Sequence, residues 1–286
     1  MKYDKKTVYM IIDKWIEEQR LAEYETSTVT SYKHSILSFI NWINNDSFTI
    51  NKDLLISYKD YLKDNYSVNT CNKYITIVNK FLRYIMSEEE WKIIKIKKLK
   101  MQQKTSLDEP IWEQEHKRML RWAKQLEMND MYLIIKIFAF TGIRVVELTK
   151  FTVENINKNY IKVFNKGKER TIILRNDLLR EIKKYIKDNK ITTGYIFKSP
   201  VKEAKMLNLS TIWRRLKTIA RRAKINPDKI HPHAWRHLFA KAFMKIPGNS
   251  LDELADILGH SKLETTRIYT MTSNKEKKSK MEQIKY

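Results

Sequence analysis

The stretch YIKVFNKGKERTIIL (residues 160–174) is where a chain of helical character changes to strands. Its two ends, YIKVF (Tyr160–Phe164) and RTIIL (Arg170–Leu174), are short runs rich in β-branched and aromatic residues. Between them, NKGKE places Gly167 at the point where a tight turn is needed. The stretch therefore predicts a small antiparallel β-hairpin, which makes this part of the chain α+β.

On the N-terminal side of the hairpin, TGIRVVEL (residues 141–148) follows the apolar run YLIIKIFAF (residues 132–140). The Thr-Gly pair is expected to end a buried helix, and Arg144 then begins the next one. Glu147 lies three residues after Arg144 and is placed to hold its guanidinium. Taken alone, however, such an arginine is most often an ordinary surface residue in a salt bridge.

On the C-terminal side, HPHAWRHLFAKAF (residues 231–243) gathers three histidines and an arginine. His233 and Arg236 are three residues apart and are predicted to share one emergent helix face, which His237 can join. A zinc site is the alternative, but no glutamate accompanies the histidines and a guanidinium would repel the metal. An arginine beside an imidazole suits phosphate oxygens better. The opposite face is predicted to be a buried stripe of Trp235, Leu238, Phe239, Ala242 and Phe243.

A fourth motif is NSLDELADILGHSKLETTRIYTM (residues 249–271). Gly259 is expected to end its first helix, His260 to lie in the joint, and Tyr269 to lie near the end of a second short helix. The ordinary interpretation is a helix-turn-helix with a core tyrosine. Two capping boxes support the two helix starts, one formed by Ser250 with Glu253 and one by Ser261 with Glu264.

The first hundred residues predict four amphipathic helices packed as a small bundle. A basic, polar stretch without an apolar period follows them. We therefore expect a helical domain at residues 1–94, a basic linker at 95–108, and a second domain at 109–286 with a charged C-terminal tail. The linker lysines, at positions 95, 97, 98 and 100, fit either a solvated face or contact with DNA.

Composition limits the function classes. Hydrophobic residues make up 42% of the 286 residues, which excludes a disordered protein. The formal net charge of +23 favours a polyanionic partner, either duplex DNA or an anionic membrane surface. No apolar run is long enough to span a bilayer. The single cysteine, Cys71, excludes disulfides within the chain and fits a reducing compartment.

Together these motifs resemble the tyrosine recombinase (phage integrase) family, including its Xer-like members. The family pattern T-G-x-R-x-x-E-L matches at Arg144, and its hairpin lysine in G-K-G matches at Lys166. The pattern H-x-x-R matches at His233 and Arg236. The remaining matches are L-G-H-S at His260 and the nucleophile position, nine residues further on, at Tyr269. Six positions in the family's order form a specific signal, and they span residues 141–269.

The resemblance implies a mainly α protein with an N-terminal helical core-binding (SAM-like) bundle and an α+β catalytic domain. It implies a site-specific recombinase that cleaves and rejoins DNA through a covalent 3′-phosphotyrosine, without metal or cofactor. Tyr269 would be the nucleophile, Arg144 and Arg236 would clamp the phosphate, and Lys166 would be the general acid. His260 would add a hydrogen bond to the phosphate, and His233 would assist proton transfer.

The resemblance further implies double-stranded DNA as partner, a homo-tetramer on two recombination sites, and a cytoplasmic, nucleoid-associated protein without a membrane role. C-terminal segments in the family pack onto a neighbouring protomer, and residues 273–286 are expected to do so here. There is little room before Val8 for an arm-binding domain, which favours a simple Xer or transposon type. The alternatives are a type IB topoisomerase and a DNA-binding regulator without catalysis.

Two positions depart from the family pattern. Trp235 stands where H-x-L-R commonly has leucine, and we expect repacking rather than loss of function. Asn165 replaces the glycine before the hairpin lysine, and asparagine tolerates left-handed turns.

Overall fold

The structure is a computed structural model, and it divides the chain into two compact units, Met1–Gln103 and Lys104–Tyr286. Each unit has its own hydrophobic core. The residues that the structure describes are 2–100, 110–158, 160–165, 168–199, 205–231 and 233–260, followed by 263, 266–267, 278 and 281–284.

The N-terminal unit is a helical bundle with one pair of very short strands, consistent with the predicted helical character. Its elements in chain order are β1 (Lys2–Asp4), α1 (Lys5–Leu21), α2 (Thr26–Trp42), β2 (Ser47–Thr49), α3 (Lys52–Asn65), α4 (Val68–Ile85) and α5 (Glu88–Ile94).

The core of this unit follows the apolar periodicity of the sequence. Helix α1 buries Val8, Ile12 and Trp15, and α2 buries Ile36 and Phe39, all with at most 2% of their surface exposed. Such stripes recur every three to four residues because that spacing places them on one helix face. Apolar burial of this kind, at about 25 cal/mol per Å², is the main force that holds the bundle together.

The strands β1 and β2 were not predicted. They pair antiparallel, with Tyr3 opposite Phe48, and both rings are buried against the bundle. Each strand has three residues, which is too short for an alternation of apolar and polar residues to be recognised in the sequence. Asp4 then caps α1 by accepting a hydrogen bond from the backbone N–H of Thr7 at 2.9 Å.

The C-terminal unit combines helices with the predicted hairpin. Its elements are α6 (Glu113–Gln125), α7 (Asn129–Thr141), a 3₁₀ helix (Val145–Lys150), α8 (Val153–Ile156), β3 (Tyr160–Asn165), β4 (Lys168–Ile173), α9 (Asn176–Asp188), α10 (Leu209–Arg222), a second 3₁₀ helix (Pro227–Lys229), α11 (Ala234–Met244) and α12 (Leu251–Leu258).

Helix α7 is the centre of this unit. It is apolar on nearly every side and packs against α6, α9, α10 and α11. Trp235 of α11 lies against Phe138 of α7 and Trp213 of α10, with ring centroids 6.0 and 6.3 Å apart. The tryptophan that replaces the family's leucine is therefore part of an aromatic cluster in the core, as expected for an apolar residue there.

The hairpin of β3 and β4 is antiparallel, with Tyr160 opposite Ile173 and Val163 opposite Arg170. Ile161, Val163 and Ile172 face the core and are at most 2% exposed. Within the described ranges, no helix is long and apolar enough to cross a bilayer.

Helix α11 differs from the prediction in which of its residues are buried. Ala242, expected in the buried stripe, is exposed, whereas Arg236, expected on the emergent face, is only 1% exposed. The helix packs on α7 and also on α12, so a second side of it is covered. A single apolar stripe in the sequence predicts that one face of a helix is buried. It gives no sign of the second face of α11, which contacts α12.

Candidate active site

Arg144 is positioned by the end of α7. Gly142 ends that helix in the left-handed conformation, with φ of +58°, and a Cβ there would lie 2.6 Å from Cδ1 of Phe239. Glycine is required both by the backbone angle and by the close approach of α11. The chain turns there, and Arg144 becomes the N-cap of the following 3₁₀ helix.

Glu147 holds Arg144 as the three-residue spacing predicts. Its carboxylate accepts from the Arg144 backbone N–H at 2.7 Å and from Nη1 of the guanidinium at 3.2 Å. The same carboxylate forms an ion pair with Arg170 of β4. Glu147 is 6% exposed and the Arg170 side chain 8%, so this charge pair is shielded from water. Charge-assisted hydrogen bonds of this kind are strong where water is excluded.

Arg236 is held deeper in the unit. Its Nη1 donates to the carbonyl of Gly142 at 2.7 Å, and its Nη2 donates to the carbonyl of Leu258. Nη2 also lies 2.9 Å from Nε2 of His260. Two of its acceptors are carbonyls that a helix end leaves free, because the last turn of a helix has no intrahelical donors for them.

The C-terminal end of α12 gathers three arginines. Gly259 ends this helix at φ of +65°, and three successive carbonyls there each accept from an arginine of a different element. Arg170 of β4 donates to Ile257 at 2.6 Å, Arg236 of α11 donates to Leu258, and Arg144 lies 3.5 Å from the carbonyl of Gly259. The negative end of the helix dipole favours cations at this position.

Gly259 is needed for this arrangement. A Cβ at that position would lie 2.5 Å from Cδ of Arg170. Any larger residue would displace the arginine that links β4 to α12.

His260 is neutral in this setting. Burial first, and then the positive charges of Arg236 and Arg144, lower its pKa to about 4. A guanidinium nitrogen can only donate, so Nε2 accepts from Arg236 and the proton lies on Nδ1. Nδ1 then donates to Oγ1 of Thr266 at 2.7 Å, and Thr266 is fully buried.

His233 lies at the N-cap of α11, at the edge of the arginine group. Burial, together with the charges of Arg236, His231 and Arg144, lowers its pKa. A histidine with a lowered pKa remains neutral at physiological pH, and it can therefore accept a proton.

The site has an excess of positive charge. Three guanidiniums, those of Arg144, Arg170 and Arg236, lie at this end of α12, and the carboxylate of Glu147 pairs with two of them, Arg144 and Arg170. Such a group attracts an anion, and two forked guanidiniums suit the non-bridging oxygens of a phosphate. Among the described residues no cluster of three or more His, Cys, Asp or Glu side chains forms a metal site.

Of the six predicted site residues, the structure brings together Arg144, His233, Arg236 and His260. Lys166 and Tyr269 lie outside the described residues.

Two residues that support the site were not predicted. Arg170 shares a face of β4 with the buried Ile172, and this two-residue alternation was a signal that could have identified it as inward-facing. Thr266 has no comparable signal in the local sequence.

The model of the phage integrase family matches residues 109–276, which include all of the site residues and more than half of the chain. The chain belongs to the phage integrase family. It is a tyrosine recombinase of the site-specific type.

Relatives of this recombinase cover most of the chain. Tyrosine recombinase XerA of Pyrococcus furiosus is 30% identical over 222 residues, covering 76% of this chain and 74% of the relative. Tyrosine recombinase XerD of Vibrio vulnificus is 27% identical over 284 residues, covering 92% and 90%. The similarity therefore extends across both units of the recombinase.

Solved structures show the same fold. XerH recombinase bound to its difH substrate has a TM-score of 0.68 at 20% identity, covering 96% of this chain and 84% of that one. A lambda integrase dimer bound to a COC′ core site has a TM-score of 0.72 at 16% identity, covering 94% and 95%. The mainly α fold with a small antiparallel hairpin is thus that of tyrosine recombinases.

Proposed function

We propose that this recombinase cleaves and rejoins DNA strands through a covalent 3′-phosphotyrosine at Tyr269, without a metal ion. The convergence of Arg144 and Arg236 on the end of α12 carries the proposal. Their guanidiniums lie where carbonyls fix their orientation, beside a neutral His260. A preorganised positive site stabilises charge that develops on phosphate oxygens in the transition state.

The cleavage step exchanges one phosphate ester bond for another. The phenolic oxygen of Tyr269 attacks the phosphorus, the bond from phosphorus to the 5′ oxygen breaks, and Lys166 gives that oxygen a proton. His233 receives the phenolic proton, for which a lowered pKa leaves it neutral. The reverse reaction with the 5′-hydroxyl of another strand releases the tyrosine and exchanges partners.

His260 would have to change its hydrogen bonding to contact a phosphate. Nε2 accepts from Arg236 in this structure. A phosphate bound beside it would favour the protonated imidazole, whose Nε2 can donate. We propose that DNA binding raises the pKa of His260 and brings its Nε2 proton to a non-bridging oxygen.

The proposed partner is double-stranded DNA, bound by a homo-tetramer on two recombination sites. The net charge of +23 supports a polyanionic partner. Structures of the same fold include a lambda integrase tetramer bound to a Holliday junction. We propose a cytoplasmic location on the nucleoid, where such DNA is found.

Two experiments test the function. A binding site is first selected from random DNA, and a nicked, labelled duplex of that site is then incubated with the protein in excess EDTA. Wild type is expected to form a covalent adduct on a denaturing gel. Tyr269→Phe is expected to bind DNA without an adduct, because only the hydroxyl is lost.

An adduct that persists in the variant would move the nucleophile to another tyrosine, and dependence on a divalent ion would contradict the metal-free mechanism. A type IB topoisomerase would give the same adduct. Incubation with two differently marked duplexes separates the two activities, because only a recombinase joins strands from different duplexes.

A further inference from the structure

The segment after α5 is fastened to helix α4 by two asparagine side chains. Nδ2 of Asn79 donates to the Ile96 carbonyl at 2.8 Å, and its Oδ1 accepts from the Ile96 N–H at 2.9 Å. Asn72 makes the same pair of bonds with Leu99, at 3.0 and 2.8 Å. Each amide thus pairs with one backbone residue as a neighbouring strand would.

The spacing of these two clamps fits an extended chain. Seven residues of helix, from Asn72 to Asn79, rise about 10.5 Å. Three extended residues, from Ile96 to Leu99, span about 10 Å. Because the two lengths agree, both pairs of hydrogen bonds can form at the same time. Residues 96–99 run antiparallel to α4. Nζ of Lys52 also donates to the carbonyl of Lys95, at 3.0 Å.

The clamps determine which side chains face outward. Ile96 is 5% exposed and Leu99 packs on the core of the unit. Lys97, Lys98 and Lys100 are exposed, and none of them forms an ion pair with a described residue. We call these three residues the lysine ridge. Its backbone is fastened, whereas a run of like charges is usually disordered.

We infer that the lysine ridge is a contact surface for the phosphate backbone of duplex DNA. The inference rests on the proposed function. Residues 97–100 cover about 10 Å, which is the axial length of about three base pairs at 3.4 Å per phosphate along one strand. Because hydrogen bonds within the protein hold this backbone in place, little conformational entropy is lost there on binding.

A salt series tests the ridge. The full-length protein is titrated into a labelled random-sequence duplex between about 50 and 200 mM salt. For a variant with Lys97→Ala, Lys98→Ala and Lys100→Ala, the slope of log K against log salt should become less steep by about 2 to 3, since each phosphate contact contributes about 0.9.

A matched control removes the same charge elsewhere. Lys183, Lys184 and Lys187 are exposed on α9, and their replacement by alanine should leave the slope nearly unchanged. A slope that changes equally in both variants would overturn the inference, because net charge alone would then explain the effect. An unchanged slope in the ridge variant would overturn it as well.

The clamps are tested with every charge retained. Asn72→Ala with Asn79→Ala should weaken binding several-fold at fixed salt, because the released segment must be ordered by DNA. Unaltered affinity in a folded variant would contradict the role of the clamps. If that variant does not fold, the ridge variant still decides, since its substitutions are all on exposed residues.

Failure of the ridge and failure of the proposed function are distinguishable. If wild type forms the tyrosyl adduct and the ridge variant binds DNA as wild type does, only the inference about the ridge is wrong. If wild type neither binds the duplex nor forms an adduct, both the inference and the proposed function are wrong.

Discussion

Arg236 is the residue on which the site depends most directly. A buried guanidinium costs several kcal/mol unless its donors are satisfied. Here the carbonyls of Gly142 and Leu258 and the ring of His260 accept from it. The charge is therefore already oriented before any phosphate arrives, and little reorganisation is required at the moment of reaction.

His260 gives the protein a pH dependence of known sign. Its pKa in the folded protein is about 4, below the value near 6.5 of an unfolded chain. As the pH falls below 6.5 the unfolded state takes up a proton first, so stability is lost between about pH 6.5 and 4. Because the ring is partly exposed, we expect a loss on the order of 1 kcal/mol.

The measurement is urea unfolding across this pH range for wild type and His260→Gln. The variant should lose less stability on acidification than wild type does. His116 of α6 also has a pKa of about 4, from burial, but it is present in both proteins and cancels in the comparison. Identical pH profiles would mean that His260 contributes nothing to the acid sensitivity.

At the scale of elements, the end of α12 is the point where the site is assembled. One arginine from each of three elements contacts the last carbonyls of α12, and Glu147 pairs with two of those arginines. Arg170 is thus a positioning residue that ties the β3–β4 hairpin to α12 and to Arg144 through their shared carboxylate.

The substitution Arg170→Met keeps an unbranched side chain at this position and removes the guanidinium group. The hairpin should lose its tie to α12, and adduct formation with a suicide substrate should fall by about tenfold to a hundredfold, as expected when catalytic groups are misplaced by about 1 Å. DNA affinity should change little, because the residue is buried. The measurement is the single-turnover rate of adduct formation beside binding to the same duplex.

Lys162→Met is the matched control on the same hairpin. It breaks an ion pair with Glu169, at 2.7 Å, that is exposed to solvent and therefore contributes little to stability. Its adduct rate should equal that of wild type. Equal rates in both variants would show that the hairpin does not depend on Arg170.

At the scale of the whole molecule, the remaining question is the role of the C-terminal tail, residues 273–286. Met281 and Ile284 are three residues apart and are 65% and 52% exposed. Burying two such side chains is worth about 2–4 kcal/mol, which suits a reversible contact with a neighbouring protomer. This is the role that the resemblance to the recombinase family implies.

Deletion of residues 278–286 should leave binding to a single site intact and should reduce synapsis and recombination between two sites. Met281→Ser with Ile284→Ser, which keeps the charges of the tail, should have the same effect. Synapsis is measured by native gel electrophoresis with two duplexes of different length. A truncated protein that recombines at the full rate would show that the tail takes no part in assembly.

The amino-acid sequence by itself determined much of the local structure and the family to which the chain belongs. Spacings of two to four residues account for the helix stripes, the β3–β4 hairpin and the pairing of Arg144 with Glu147. Gly142 and Gly259 mark the ends of two helices. Periodicity is visible because neighbours on one helix or strand are separated by a constant number of residues. The three-residue strands β1 and β2 and the short helix α5 (Glu88–Ile94), a fifth helix where four were predicted, were too short for it.

Tertiary structure alone decided which polar groups meet at the site. Arg236 is buried because α12 covers a second side of α11, and Arg170 reaches a carbonyl 87 residues away. No local pattern contains such contacts, since they depend on where helix ends are placed by packing around α7. The asparagine clamps that fasten the lysine ridge also depend on tertiary structure. The rise of α4 between the two asparagines can match the length of the extended segment only after the chain has folded back along the helix.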